Sequence, residues 1–111
     1  MQNMSEIRLL YVTAATREEA EQIGLAVVRE RLAACANILG PIHSIYHWQG
    51  KLERSNEVAM ILKTPQNLQE RLISRIRELH SYECPAIVVL PVLGGHTGFL
   101  DWVVAETAPA R

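Results

Sequence analysis

The order in which strand-like and helix-like segments follow one another constrains the fold of this chain more than any other feature. The run from Ile7 to Ala14 is short, apolar and bounded by polar residues, which predicts a buried strand. Thr16 then begins a capping box with Glu19, in which the hydroxyl accepts from a first-turn amide and the glutamate reaches back. The apolar spacing that follows predicts a helix to about Leu32.

The middle of the chain alternates in the manner of a long hairpin. The segment from Cys35 to Leu39 predicts a short strand, and Gly40-Pro41 predicts a break after it, because proline cannot donate to a β-ladder. Beyond the break, alternating residues predict a hairpin from Ile42 to about Thr64, with Gln49-Gly50 at its tip. The polar stretch from Glu53 to Asn56 is expected to loop or bulge.

The last third of the chain contains a helix, a strand and a shorter helix. Thr64-Pro65 is expected to open the second helix, because proline is tolerated in a first helical turn. Pro85 cannot continue a helix, so we expect this one to end near His80. The apolar run from Ile87 to Leu90 predicts a short buried strand, and residues 99–105 predict a last short helix.

The resulting order is strand, helix, strand, strand, helix, strand. It is the order of the ferredoxin-like arrangement, in which two helices pack on one face of an antiparallel sheet. We therefore predict an α+β fold, a ferredoxin-like βαββαβ domain with an extra C-terminal short helix. The chain has 111 residues and no repeat or linker, so a single domain is predicted over residues 1–111.

Charge and hydropathy argue against two classes of partner. The net charge is -1, which gives no electrostatic reason to expect nucleic acid. No apolar run reaches the roughly 18 residues of a transmembrane helix, so we expect no membrane partner. Residues 1–6 are polar and show no secretory signal. Cys35 and Cys84 are too few for a disulfide scaffold, so we expect a cytoplasmic protein with reduced thiols.

Histidine and cysteine side chains are the natural candidates for metal ligands. His43 and His47 lie four residues apart on a predicted strand, about 13 Å, which is too far to share one ion. The segment from His80 to Pro85 brings together an imidazole, a phenol, a carboxylate and a thiol, and imidazole and thiolate favour Cu(I) and zinc. From spacing alone, the favoured interpretation is that His80 complements the helix C-terminus and Tyr82 packs over the sheet. For Cys35 and Cys84 the favoured interpretation is likewise a small buried hydrophobe, with a soft-metal ligand as the alternative.

Two further features concern catalysis and assembly. Residues 94–98 are glycine-rich but lack the lysine and hydroxyl of a phosphate-binding loop, so a flexible turn is expected. No nucleophile motif is present, and nothing in the sequence requires an enzyme. Tyr46 and Trp48 fall near the hairpin tip, where little of the same chain can cover them. Such aromatic residues usually mark an interface, and packing on the chain's own helix is the alternative.

Five segments occur in a fixed order along the chain: Arg31 to Ile38, Ile45 to Gly50, Glu57 with Lys63 and Thr64, His80 to Ile87, and Leu100 to Trp102. Together these five motifs resemble the CutA divalent-cation tolerance family over almost the whole chain. The resemblance implies a ferredoxin-like fold, a homotrimer similar to the PII signalling proteins, and a link to tolerance of copper and other divalent ions.

The chain departs from the family pattern at three positions. Ser81 replaces a proline, and Ala86 replaces a second glutamate, so no carboxylate is available there. Phe99 replaces a tyrosine and removes a hydroxyl. The turn at Gln49-Gly50 is also much shorter than the nucleotide-responsive loop of PII proteins, which argues against nucleotide sensing by that route.

The functional prediction is a protein that binds or buffers copper or another divalent metal ion as a homotrimer, without turnover. The predicted metal ligands are Cys35, His80 and Cys84, with Cys84 the more accessible thiol. Tyr46 and Trp48 are predicted at the trimer interface. One alternative is a small-molecule or signalling module of PII-like type, with a cleft formed by Glu57, Lys63 and Tyr82. The other alternative is a rigid trimeric scaffold without a ligand.

Overall fold

The computed structural model describes residues 5–109 as an antiparallel sheet with three helices, which confirms the α+β prediction. The single-domain prediction for residues 1–111 and the expected absence of a signal in residues 1–6 lie partly outside the described residues. None of the helices in the described residues combines the length and the hydropathy of a membrane span. The elements are β1 Ile7–Ala14, α1 Arg17–Arg29, β2 Cys35–Trp48, β3 Lys51–Pro65, a 3-10 turn Gln66–Leu68, α2 Gln69–Leu79, β4 Ile87–Pro91 and α3 Thr97–Thr107.

The four strands are ordered β2-β3-β1-β4, and every neighbouring pair is antiparallel. Strand β1 pairs with β3 from Ile7 opposite Pro65 to Ala14 opposite Val58. Beyond that point β2 and β3 continue alone as a two-stranded ribbon of residues 42–57, which we call the distal hairpin. We call the four-stranded part of the sheet, where β1 and β4 are also paired, the root; the distal hairpin projects from it.

The core lies between one face of the sheet and helices α1 and α2. Alternate residues of β1 and β3 point into it because side chains alternate between faces along a strand. Fully burying such a side chain contributes about 1.5–3 kcal/mol to stability. The largest fully buried apolar residues of this core are Leu10, Val12, Ile23, Val27, Met60, Leu62, Leu72 and Ile76.

Helix α1 begins as predicted and ends earlier. The Thr16 hydroxyl accepts from the Glu19 amide at 3.1 Å, but the Glu19 carboxylate reaches the Ala15 amide, one residue before the cap. The expected end at Leu32 is wrong, because Arg31 adopts a left-handed conformation with φ of 61°. The turn is closed by the Leu32 amide, which donates to the carbonyl of Val27 at 2.9 Å.

Two predictions for the hairpin are corrected. Strand β2 is continuous through Gly40-Pro41, because a bulge between Ile38 and Gly40 absorbs one residue and Pro41 lies on an edge strand. Residues 53–56 remain paired in β3 and form neither loop nor bulge. The predicted tip is confirmed, since Gln49 and Gly50 have φ of 51° and 81°, as a tight type I′ turn requires.

The predicted burial of the last strand is wrong, because β4 is an edge strand whose Val88 and Leu90 are exposed on the face away from α1 and α2. The remaining boundaries differ by a few residues. Pro65 ends β3 and does not begin a helix, so α2 starts only after the short 3-10 turn. It ends one residue before His80, whose backbone is already extended. Helix α3 is longer than predicted at both ends. Its earlier start follows from the His96 side chain, which caps the helix by accepting from the Phe99 amide at 3.2 Å.

Candidate functional site

An open cleft forms where the distal hairpin leaves the sheet. The segment after α2 returns beside the end of β1, where the Thr13 amide donates to the carbonyl of Ala86 at 3.4 Å. This segment forms one wall of the cleft and the distal hairpin forms the other. The cleft has a volume of about 380 Å³, and it is lined by Thr13, Tyr46, Trp48, Glu57, Tyr82, Glu83, Cys84 and Ala86.

A buried carboxylate and a phenol are hydrogen-bonded to each other at the base of the cleft. Glu57 is only 8% exposed, and the Tyr82 hydroxyl donates to its Oε2 at 2.8 Å. Burial raises the pKa of Tyr82, and the bond and the charge of Glu57 raise it further. The phenol therefore stays protonated and remains a donor. Within residues 5–109, no lysine, arginine or histidine forms an ion pair with Glu57.

His80 holds the returning segment in place through both ring nitrogens. Its Nε2 lies 2.7 Å from the carbonyl of Thr13, and its Nδ1 lies 3.0 Å from the amide of Tyr82. Because the carbonyl can only accept and the amide can only donate, Nε2 carries the proton and Nδ1 is the acceptor. In this arrangement neither nitrogen has a lone pair free for a metal ion. The geometry thus favours a structural role for His80, at the end of α2.

Glu19 ties the same segment to α1. Its Oε2 accepts from the Ser81 amide at 2.6 Å, and its Oε1 accepts from the Ala15 amide at 3.1 Å. Burial raises the pKa of Glu19, but the hydrogen bonds from Ser81 and Ala15 outweigh burial, so the pKa lies below its ordinary value. The carboxylate of Glu19 is therefore a positioning group, 3.8 Å from His80 Nδ1.

The two cysteines lie in different parts of the molecule. Cys84 is exposed at the cleft, so its interpretation as a small buried hydrophobe is wrong. Cys35 is half-buried at the start of β2, opposite Lys63. Six residues of β3 separate Lys63 from Glu57, which is about 20 Å of strand. Cys35 thus does not join His80 and Cys84 in one site of a single chain. Within residues 5–109, no three His, Cys, Asp or Glu side chains are grouped as a metal site requires.

Lys63 is separated from the other two predicted cleft residues by the same length of strand. Its Nζ donates to the side-chain oxygen of Asn37 at 2.8 Å and lies 5.4 Å from the centre of the Phe99 ring. The structure brings Glu57 and Tyr82 together, as expected, and places Lys63 outside their cleft within the chain. The Lys63 ammonium group, predicted to line the ligand cleft, thus lies beside the Phe99 ring instead.

The aromatic residues of the distal hairpin form a wall of the cleft. Tyr46 is 41% exposed and Trp48 is 46% exposed, so both retain free surface, as an interface role needs. The sequence did not predict that Tyr46, Trp48 and Thr13 line the cleft. The available signal was the spacing of Tyr46 and Trp48, because side chains two residues apart on a strand lie on the same face.

Comparison with known proteins gives a consistent result. The family described as CutA1 divalent ion tolerance protein matches residues 8–106. The divalent-cation tolerance protein CutA of Salmonella newport (strain SL254) is 40% identical over 104 residues, which cover 94% of this chain and 90% of that protein. The chloroplastic protein CutA of Arabidopsis thaliana is 37% identical over 99 residues, covering 89% of this chain. The match covers 54% of the Arabidopsis protein, and the chain likewise spans about half the length of several other curated relatives.

Solved structures agree with the sequence relatives. The structure of the periplasmic divalent cation tolerance protein CutA from Archaeoglobus fulgidus superimposes with a TM-score of 0.89 at 37% identity. The match covers 92% of this chain and 99% of that one. Since the matched region includes the sheet, the helices and the cleft, the chain belongs to the CutA1 divalent ion tolerance family.

Proposed function

We propose that the protein contributes to divalent-cation tolerance by binding a soft metal ion such as copper, without turnover, as a homotrimer. The observation that carries the metal-binding part is the exposed thiol of Cys84 beside the carboxylate of Glu83 at the cleft. A thiolate is the ligand that selects Cu(I) and zinc among the common ions. His80 is already bonded through both nitrogens, so the proposal rests on Cys84.

The metal site is proposed to be completed by a second copy of the chain. Residues 5–109 of one chain hold no group of three ligands, so Cys84 needs a further donor from elsewhere. A Cys84 thiolate and an adjacent Glu83 carboxylate can supply part of a coordination shell. Assembly of identical subunits would supply the rest at symmetric positions.

Self-association is supported by a sheet face that α1 and α2 do not cover and that α3 covers only at one end, over Ile7. Alternate residues of β1, β3 and β4 point away from α1 and α2, and the register places them side by side. A sheet face open to water normally carries polar side chains, yet this one is apolar. We call this surface the open face; its residues are Leu9, Tyr11, Ile61, Val88 and Leu90.

Exposure and strand edges also favour association. Val88 is 51% exposed on the open face, and Ile45 and Leu52 of the distal hairpin are 62% and 61% exposed. Strands β2 and β4 are the unpaired edges of the sheet, and a closed ring of subunits removes such edges. The number three comes from the resemblance to PII-like trimers; the edges and the open face support closed association.

Metal binding is tested by calorimetric titration of the reduced protein with copper and zinc. We expect saturable binding at micromolar ion. The variant Cys84→Ser should lose it, whereas Cys35→Ser, the same change at the distant thiol, should retain it. Absence of binding by the wild-type assembly contradicts the proposal. Equal losses in the two variants would remove the assignment to Cys84.

A second function is favoured by the cleft itself. Its volume of about 380 Å³ lies in the range of small-molecule sites, and its aromatic wall and buried Glu57 resemble a ligand pocket more than an open metal site. This is the small-molecule module considered from the sequence. A stabilising ligand would raise the melting temperature in a concentration-dependent manner.

Residence in the cytoplasm stays a proposal that rests on the cysteines. Cys35 and Cys84 are both free, and a protein with two separated thiols suits a reducing compartment. Fractionation of cells that produce the protein at native level tests this directly. Recovery in the soluble cytoplasmic fraction is expected, and recovery in a periplasmic fraction contradicts it.

A further inference from the structure

Two charged side chains of β3 have no oppositely charged partner within residues 5–109. Glu57 is buried, and only one of its oxygens, Oε2, accepts a hydrogen bond in this part of the chain, from the Tyr82 hydroxyl. Lys63 is half-buried, and its ammonium group donates to the neutral amide oxygen of Asn37 but pairs with no carboxylate there. Because a charge withdrawn from water without a counter-charge is costly, each group favours an opposite charge from elsewhere.

Glu57 and Lys63 cannot pair with each other in one chain. They lie about 20 Å apart along β3, which its neighbours hold extended. Their even spacing places both on the face of β3 that carries Ile61, whereas Met60 and Leu62 point into the core. The uncovered side of β3 thus has a carboxylate at one end, an ammonium group at the other and an apolar residue between them.

Closed association of identical subunits brings such opposite ends together. In a ring, each subunit contacts the next through two different patches, so one end of a subunit meets the other end of its neighbour. The distal hairpin leaves the root at Glu57, so a second copy that covers the hairpin also lies beside Glu57. Lys51 and Arg54 lie on the hairpin itself, at the same end as Glu57. Lys63 is the basic residue of β3 at the opposite end.

We propose that Lys63 of the partner subunit enters the cleft and pairs with Glu57, so that the complete site contains residues of two chains. The proposal deepens the self-association proposed above and rests on it. Because the Tyr82 hydroxyl holds Oε2 of Glu57, Oε1 is the oxygen that accepts from the ammonium group. A ligand bound in the cleft then contacts two subunits, and its binding stabilises the assembly.

Contacts within the chain already restrict the Lys63 side chain. Its Nζ donates to Asn37 at 2.8 Å and lies 5.4 Å from the centre of the Phe99 ring. An ammonium group carries several N–H donors, so it can bond to an amide oxygen and to a carboxylate at once. Since the side chain is held before the subunits meet, the ion pair forms with a smaller loss of conformational entropy.

The test is a double-mutant cycle on the dissociation constant of the assembly. The constant is measured by light scattering across a dilution series, at one urea concentration at which the wild type dissociates measurably. Glu57→Gln and Lys63→Gln should each weaken assembly by about tenfold, because each leaves one buried charge unpaired. The double variant should assemble at least as well as either single variant. Losses that multiply in the double variant would overturn the proposal.

Two charge changes on the helical side of the molecule serve as controls. Glu18→Gln on α1 and Arg77→Gln on α2 are at exposed positions and should leave the dissociation constant unchanged. Losses in these controls equal to those at Glu57 and Lys63 would show an effect of net charge and contradict the ion pair. A monomeric wild type would contradict self-association itself, whereas an assembled wild type without coupling would contradict only this pairing.

A cross-link in the wild type keeps the test decisive if Glu57→Gln does not fold. A carbodiimide joins a carboxylate and an amine in contact as an amide, and takes up the water that is released. It is applied to protein reassembled from equal amounts of isotope-labelled and unlabelled chains, and the peptides are identified by mass spectrometry. We expect Glu57 of one chain joined to Lys63 of another. Absence of that peptide from the assembled protein, or Glu57 joined to Lys51 alone, would overturn the proposal.

Discussion

Strands β2 and β3 run through both the root and the distal hairpin, yet their apolar side chains are buried in one region and exposed in the other. In the root, Met60 and Leu62 are fully buried under helices α1 and α2. In the distal hairpin, Ile45 and Leu52 are more than 60% exposed. An apolar residue of a strand is therefore not buried in every case, because its burial depends on whether another surface packs against it. The root finds that surface in its own chain, whereas for the distal hairpin a second copy of the chain is proposed to supply it.

The largest effect is expected at the root. Leu62→Ala removes a fully buried side chain from the core and should lower the free energy of unfolding by about 2–5 kcal/mol. Leu52→Ala, the same change at a position that is 61% exposed, should lose less than half as much. Urea unfolding at one fixed protein concentration measures both. Similar losses would show that the two halves do not differ as described.

The next effect concerns the aromatic residues of the distal hairpin. Trp48→Ala should weaken association by about 2 kcal/mol per subunit, because a partly exposed tryptophan at an interface is a typical hot spot. The measurement is light scattering coupled to size exclusion across a dilution series. Arg77→Ala, at an exposed position of α2 away from the distal hairpin, is the control and should change little. If assembly and thermal stability are unchanged in Trp48→Ala, Trp48 is not part of the interface.

A smaller effect is expected from the group that ties the cleft segment to α1. Because the folded state lowers the pKa of Glu19 from 4.5, its ionised form stabilises the fold above that pH. This stability is lost as the pH falls through the lowered pKa. Glu19→Gln should therefore be less stable than the wild type at pH 7, by on the order of 1 kcal/mol, and the difference should shrink near pH 3.

Urea unfolding at the two pH values decides this point. Glu18→Gln is the matched control, since the neighbouring side chain is exposed on the same helical turn. A difference between Glu19→Gln and the wild type that stays constant with pH would contradict the assigned role of the carboxylate.

The smallest effect is one of rate and leaves the fold intact. Cys84 is exposed at the cleft and Cys35 is half-buried in the root, so a thiol reagent should modify Cys84 first in the native protein. Timed labelling followed by peptide mass spectrometry gives the order. Equal rates at the two thiols would contradict the difference in accessibility.

The sequence predicted correctly those elements whose conformation is determined by residues close together in the chain. The bounds of β1 are those expected from its apolar run, and the Thr16 cap and the Gln49-Gly50 turn are found where predicted. The break at Gly40-Pro41 was wrong because an edge strand tolerates a missing donor, and edge position is a property of the whole sheet. The end of α1 was missed because the left-handed Arg31 carries no glycine signal.

The candidate site was predictable only in part, for a similar reason. The pairing of Glu57 with Tyr82 came from the resemblance, since 25 residues separate them and no spacing rule joins them. The separation of Cys35 from Cys84 depends on strand register, which aligns Cys35 with Lys63. Sequence alone also could not show that both nitrogens of His80 are occupied, because their partners, Thr13 and Tyr82, meet it only after folding.

The most direct test of the account is the molar mass of the wild-type protein in solution. The open face and the distal hairpin are proposed to be covered by further copies of the chain. Light scattering coupled to size exclusion, at concentrations down to the micromolar range, should give three times the chain mass of 12.5 kDa. A monomer near 12.5 kDa at micromolar concentration would contradict the central claim.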